Sequence, residues 1–158
     1  MNTVCEWKGI ECEQDDIVGI DLQGFQIEST LPESFSQLSS LKFISLASNY
    51  LHGTIPDKIT KLPLLVEVNL SNNQLTGTVP IFLSNAIQTV NLGHNRLSGN
   101  LPEYINTSKK KLQKFNIENN KIVGTIPSSI INMGVESLVE LNLGNNHLSG
   151  AYYVIYLV

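Results

Sequence analysis

Reactive side chains are scarce in this chain. It holds two cysteines, one tryptophan and three histidines in 158 residues, and charged residues make up only 15% of it. A structural zinc site needs four ligands, and no further cysteine or histidine lies near Cys5 and Cys12 in sequence. His52, His94 and His147 have no nucleophile at a recurring partner position, and there is no glycine-rich phosphate loop or kinase signature. Catalysis, a cofactor and a bound metal are therefore not expected. The net charge of −4 argues against nucleic acid, which calls for a broad basic surface. No apolar run approaches the roughly 20 residues that cross a bilayer as a helix.

Repetition is abundant. The chain reads LKFISLASNYLHGTIP from Leu41, LVEVNLSNNQLTGTVP from Leu65 and IQTVNLGHNRLSGNLP from Ile87. LQKFNIENNKIVGTIP follows from Leu112 and LVELNLGNNHLSGAYY from Leu138, and a less regular copy, IVGIDLQGFQIESTLP, starts at Ile17. The anchor positions are Phe25, Asn49, Asn73, Asn95, Asn120 and Asn146, at spacings of 24, 24, 22, 25 and 26 residues. That period, with the pattern L-x-x-L-x-L-x-x-N-x-L, is the leucine-rich repeat signature.

Each position in the unit has a physical reason. In VEVNLSN, apolar Val68 and Leu70 alternate with Glu67, Asn69 and Ser71, which describes a short strand with one buried face. Stacked strands make a parallel sheet, and the bulkier segments opposite force the stack to curve. The expected fold is an α/β-type repeat solenoid: an arc of leucine-rich repeats with a parallel concave β-sheet and short 3₁₀ or irregular convex segments. The anchor asparagines Asn49, Asn73, Asn95, Asn120 and Asn146 should turn inward as a structural ladder, satisfying backbone groups that no sheet reaches. Asn72, beside one of them, should face solvent. An apolar residue stands three places after each repeat proline (Phe35, Ile59, Leu83, Ile105 and Ile130), where one helical turn would point it into the core.

The recurrent L-x-G-x-I-P tail, with Gly53, Gly77, Gly99 and Gly124 and then Pro56, Pro80, Pro102 and Pro127, resembles the plant class of leucine-rich repeats. That class occurs in receptor-like kinases, receptor-like proteins and polygalacturonase inhibitors, and its L-x-G-x-I stretch forms a second short sheet. The N-terminal Cys5-Glu-Trp7-Lys-Gly9-Ile10-Glu-Cys12 is similar to the end of the same class's capping domain. This likeness implies a Cys5–Cys12 disulfide and a tryptophan that covers the first coil's open core. Zinc ligation and two unlinked buried thiols are the rival readings. The domain organisation expected is a partial cap over residues 1–16, six repeats over 17–150 and an apolar non-repeat tail over 151–158.

Alternation also places the candidate binding face. One row of solvent-facing strand positions reads Asp21, Ser45, Asn69, Asn91, Asn116 and Asn142, and its asparagines could bond to one another along the sheet. The flanking rows vary more, with Phe43, Glu67, Thr89, Lys114 and Glu140 before it and Ala47, Ser71, Gly93, Glu118 and Gly144 after it. Phe43 is the candidate aromatic anchor. Asn69-Leu-Ser71 and Asn106-Thr-Ser108 are glycosylation sequons, of which Asn106, in a connection, is the better acceptor.

Charge is uneven along the chain. The first 33 residues hold Glu6, Glu11, Glu13, Asp15, Asp16, Asp21, Glu28 and Glu33 against Lys8 alone. Lys109, Lys110, Lys111 and Lys114 cluster further on, where they could meet an acidic partner or an anionic wall polysaccharide, or could simply be solvated. Residues 1–4 carry no signal-peptide pattern and the sixth copy leaves the repeat after Gly150, which reads as a fragment, a truncated product or a domain cut from a larger receptor-like protein. By resemblance the chain is an extracellular or cell-surface ectodomain that binds a peptide or another ectodomain, with neither catalysis nor membrane insertion of its own. The alternatives are a secreted polygalacturonase-inhibitor-like protein and a non-functional truncated product.

Overall fold

A computed structural model describes residues 3–103, 112–133 and 138–150. The cap opens with a 3₁₀ turn, Thr3–Glu6, followed by β1 (Ile10–Glu13) and β2 (Asp16–Asp21). Each later coil then contributes a pair of short strands. These are β3 (Phe43–Ser45) and β4 (His52–Thr54), β5 (Glu67–Asn69) and β6 (Gln74–Thr76), β7 (Thr89–Asn91) and β8 (Ser98–Asn100), β9 (Lys114–Asn116) and β10 (Lys121–Gly124), and β11 (Glu140–Asn142) and β12 (His147–Leu148).

The first strand of each pair builds the concave sheet, ordered β1-β2-β3-β5-β7-β9-β11 and parallel from β2 onward. Ile44, Val68, Val90, Phe115 and Leu141 fall in one register line across it. The second strands form the smaller sheet that the plant-type tail predicts, in two parts, β4-β6 and β8-β10-β12. Backbone bonding continues across the gap between the parts, from the Arg96 amide to the Leu75 carbonyl and from the Ser98 amide to the Gly77 carbonyl, both 2.8 Å.

Between the sheets runs one continuous core, in which Leu41, Leu65, Val68, Leu75, Ile87, Leu92, Leu97, Leu112, Phe115 and Ile122 are fully buried. Burying each leucine contributes about 1.5–3 kcal/mol. No single coil encloses such a core, so each repeat is stable only through its neighbours.

The anchor asparagines are the joints between coils. Asn73 Nδ2 donates to the Leu70 carbonyl of its own turn (3.1 Å) and to Leu46 of the coil before (2.9 Å), while its Oδ1 accepts the Leu51 amide (2.9 Å). Asn49, Asn95, Asn120 and Asn146 repeat this three-way bridge. Every bridge reaches back one coil. The first coil has no repeat before it, which explains why its anchor position can be Phe25. The residue before each anchor is left-handed: Gly24, Ser48, Asn72, His94, Asn119 and Asn145 have φ between 52° and 72°.

Three sequence expectations fail here. Trp7 does not cover the first coil but is 63% exposed. The β1–β2 hairpin covers it instead, because strand alternation sends Ile10 and Cys12 inward while Trp7 sits on the turn outside. Leu83 is 43% exposed, and Phe82 is the fully buried residue in that coil. The reason is length: the repeat from Asn73 to Asn95 is shorter than the one before it and crosses without a helical turn, unlike the coils with helices Asp57–Thr60 and Ser128–Met133. Extended backbone, tied by the Leu83 amide to the Thr60 carbonyl (2.9 Å), turns Phe82 inward. Third, Ala47, Ser71 and Gly93 are buried beneath the concave surface and do not display their side chains on it. Ile105, Asn106, Lys109, Lys110, Lys111 and the tail 151–158 lie outside the described residues.

Candidate functional site

The concave sheet offers the first and third residue of each strand to solvent. Across the middle of it Glu67, Thr89, Lys114 and Glu140 stand side by side in register, one per strand, at the roughly 4.8 Å strand spacing. Lys114 Nζ lies 3.7 Å from Glu140 Oε2, both side chains more than half exposed. Such a pair contributes only about 0–1 kcal/mol, so its charges remain open to exchange for a partner's. Together with Asn69, Asn91 and Asn116 these residues line a shallow recess of about 210 Å³.

The asparagine row behaves differently from the expected ladder along the sheet. Asn69 Oδ1 accepts the Ser71 amide (3.2 Å) and its buried hydroxyl (2.8 Å), and Asn91, Asn116 and Asn142 each accept the amide two residues on. Asp21 does the same with Gln23. These oxygens cap the strand ends within their own coils, which leaves the Asn69, Asn91, Asn116 and Asn142 amide nitrogens as the groups available to donate outward. Asn69 of the first sequon is thus part of a strand end.

Phe43 is half-buried and does not stand clear as an anchor. Its ring lies over Gly19 of the adjacent strand, and Ser45 beside it is half-buried as well. The rim carries His94, whose Nε2 sits 3.4 Å from Glu118 Oε1 and 3.3 Å from Asn119 Nδ2. On the convex side, Glu33 bonds Lys58 at 2.8 Å, and that bond and charge hold its carboxyl below the usual carboxylate range.

Two surfaces were not singled out in sequence. One is a lateral recess of about 570 Å³ beside the short coil, where Pro80, Ile81 and Leu83 meet Thr60, Lys61 and Pro102. The other, at the cap, is lined by Lys8, Glu11, Asp21 and Phe25. The 22-residue spacing could have signalled the first and the missing anchor asparagine the second. Cys5 and Cys12 are disulfide-bonded, closing the 3₁₀ turn onto β1. Among the described residues no group of three metal-ligating side chains converges, and no helix is long and apolar enough to cross a membrane.

Comparison with known proteins points one way. Family models described as leucine rich repeat match residues 19–75, 86–107 and 111–133. A chain of the BIR3–SERK2 complex from Arabidopsis thaliana matches with TM-score 0.77 and 30% identity, over 94% of this chain and 79% of that one. The Arabidopsis receptor kinase HAESA ectodomain, solved with an IDA peptide hormone, matches with TM-score 0.82 and 29% identity, over 92% of this chain and 25% of that one. The Arabidopsis thaliana protein MALE DISCOVERER 2 is 36% identical over 50 residues, which is 32% of this chain and 7% of that protein. This chain therefore spans a small part of that curated relative and about a quarter of the HAESA ectodomain.

Proposed function

Because the chain belongs to the leucine-rich repeat family in its plant form, we propose that it is the binding part of a plant cell-surface receptor-like protein, recognising a peptide or another ectodomain outside the cell. The observation that carries this reading is the concave row Glu67–Thr89–Lys114–Glu140, flanked by outward amides and mounted on a sheet held rigid from coil to coil. Varied polar side chains on an invariant scaffold suit recognition, since the scaffold fixes their positions before a partner arrives and lowers the entropy lost on binding. HAESA, a structural neighbour, binds a peptide hormone, and another neighbour was solved as a complex of two such proteins. The Cys5–Cys12 disulfide fits an oxidising, extracellular setting. The fold generally carries binding, and the role proposed here is recognition without catalysis.

The test is panning of a displayed peptide library against the full, disulfide-bonded chain, with selected binders compared on two variants. Charge reversal on the concave face, Glu67→Arg with Lys114→Glu, should weaken them by about tenfold or more, as loss of complementary charge at an interface does. Lys58→Glu on the convex side should leave them unchanged. Binders that ignore the concave variant, or that respond equally to both, overturn the assignment of the face.

A further inference from the structure

The first coil carries a second recognition feature, at the cap end of the sheet. Phe25 occupies the anchor position that asparagine fills in every later coil, and it is 45% exposed. It lines an open recess of about 530 Å³ together with Lys8, Glu11, Asp21 and Gln23. The Lys8 ammonium already stands over the Phe25 ring, 5.5 Å from its centroid. Among the described residues neither Glu11 nor Asp21 forms an ion pair, so the recess holds two carboxylates against one ammonium. The first 33 residues hold eight acidic residues against Lys8, of which Glu13 and Glu33 are paired with Lys42 and Lys58 from later coils. Trp7, next to Lys8 in the chain, adds a second exposed ring to the same end of the molecule.

We propose that this recess binds a cationic side chain, an arginine or lysine on a segment of a partner protein, with Lys8 as its built-in competitor. An aromatic face attracts a cation through its quadrupole, and flanking carboxylates add charge and hydrogen-bond acceptors for a guanidinium. Lys8 reports that the face accepts a cation and occupies it weakly, because an exposed intramolecular contact of this kind contributes little. The backbone beneath is firm: the Asp21 amide donates to the Gly9 carbonyl at 2.7 Å, and a β-carbon on Gly9 would lie 2.1 Å from the Asp21 carbonyl oxygen. Asp21 is also the first member of the concave polar row, so a chain lying along the sheet could place a basic residue here. The inference does not require that it does, and it stands whether or not the varied row is the main binding face.

The experiment is an amide NMR titration of the full disulfide-bonded chain with acetyl-Arg-Arg-Arg-amide, against the same peptide with citrulline replacing arginine. Expected are saturable shifts centred on Gly9, Asp21 and Gln23 with the arginine peptide and none with citrulline. Lys8→Ala should tighten binding by about two- to fivefold and Phe25→Leu should weaken it by a similar factor, the range an exposed cation–π contact supports. Shifts that spread evenly over all acidic surface, a citrulline peptide that binds equally, or a Phe25→Leu variant with unchanged affinity overturn the proposal. Should Phe25→Leu not fold, Lys8→Ala decides alone, and failure to tighten is then sufficient to reject it.

Discussion

The Phe43 ring lies over Gly19 on the neighbouring strand, so near that a β-carbon built on Gly19 would stand 1.9 Å from its Cε2. The glycine interrupts an otherwise apolar run in β2 because the next strand's aromatic occupies the space its side chain would take. Gly19→Ala should displace the ring and cost about 1–3 kcal/mol, as overpacking does. In a Phe43→Ala background the same change should be nearly neutral, giving a coupling of at least about 1 kcal/mol in a double-mutant cycle followed by urea melts. Additive costs would show that the two residues do not share that space.

The anchor asparagines make a sharper comparison than burial alone suggests. Asn73→Ala removes donors to the Leu46 and Leu70 carbonyls and the acceptor of the Leu51 amide, all buried. At about 1–3 kcal/mol for each unsatisfied group, the loss should exceed 3 kcal/mol. Its neighbour Asn72 is exposed but has φ of 55°. Asn72→Leu should therefore still cost about 1–2 kcal/mol for backbone strain, whereas Asn72→Gly should be harmless. Thermal melts of the three variants decide it, and Asn72→Gly matching the loss from Asn73→Ala would contradict the bridging role.

Much of this architecture was legible because it repeats. A period of two names the strand, a period near 24 names the coil, and a solitary inward amide names the joint, since each is dictated by backbone bonding that every coil must satisfy. What the sequence hid depends on the contents of an adjacent coil. Phe43 looks like an exposed strand residue until Gly19 is seen beside it, and Trp7 looks like a plug until the hairpin is seen to fill the end of the core. The asparagine row looked like a ladder along the sheet, but each oxygen has a nearer donor two residues on. Of the expected binding face, Glu67, Thr89, Lys114 and Glu140 do come together, while Phe43 and Ser71 turn to packing.

The short coil tests how far length overrides position. By repeat position Leu83 should be core and Phe82 surface, and the structure has them reversed. Phe82→Ala should cost about 3–5 kcal/mol, the range for a fully buried aromatic. Leu83→Ser should stay within about 0.5 kcal/mol of the parent, as exposed substitutions do. Reversed magnitudes in chemical denaturation would restore the sequence-based register.

The last described coil is packed more loosely than the coils before it. Leu141, Leu143 and Leu148 are only half-buried, whereas their counterparts Val68, Leu70 and Leu75 are 0–1% exposed, and Val139 is 66% exposed beside them. Among the described residues strand β11 ends the concave sheet with one edge unpaired, a template for pairing with another chain. The isolated 158-residue chain should therefore self-associate, and a polar capping repeat grafted after Gly150 should make it monomeric by covering both the leucines and the edge. Removing residues 151–158 alone should help only in part, because the open coil remains. Light scattering over a concentration series distinguishes these outcomes: a monodisperse monomer from the unmodified chain would mean that the open coil is already covered.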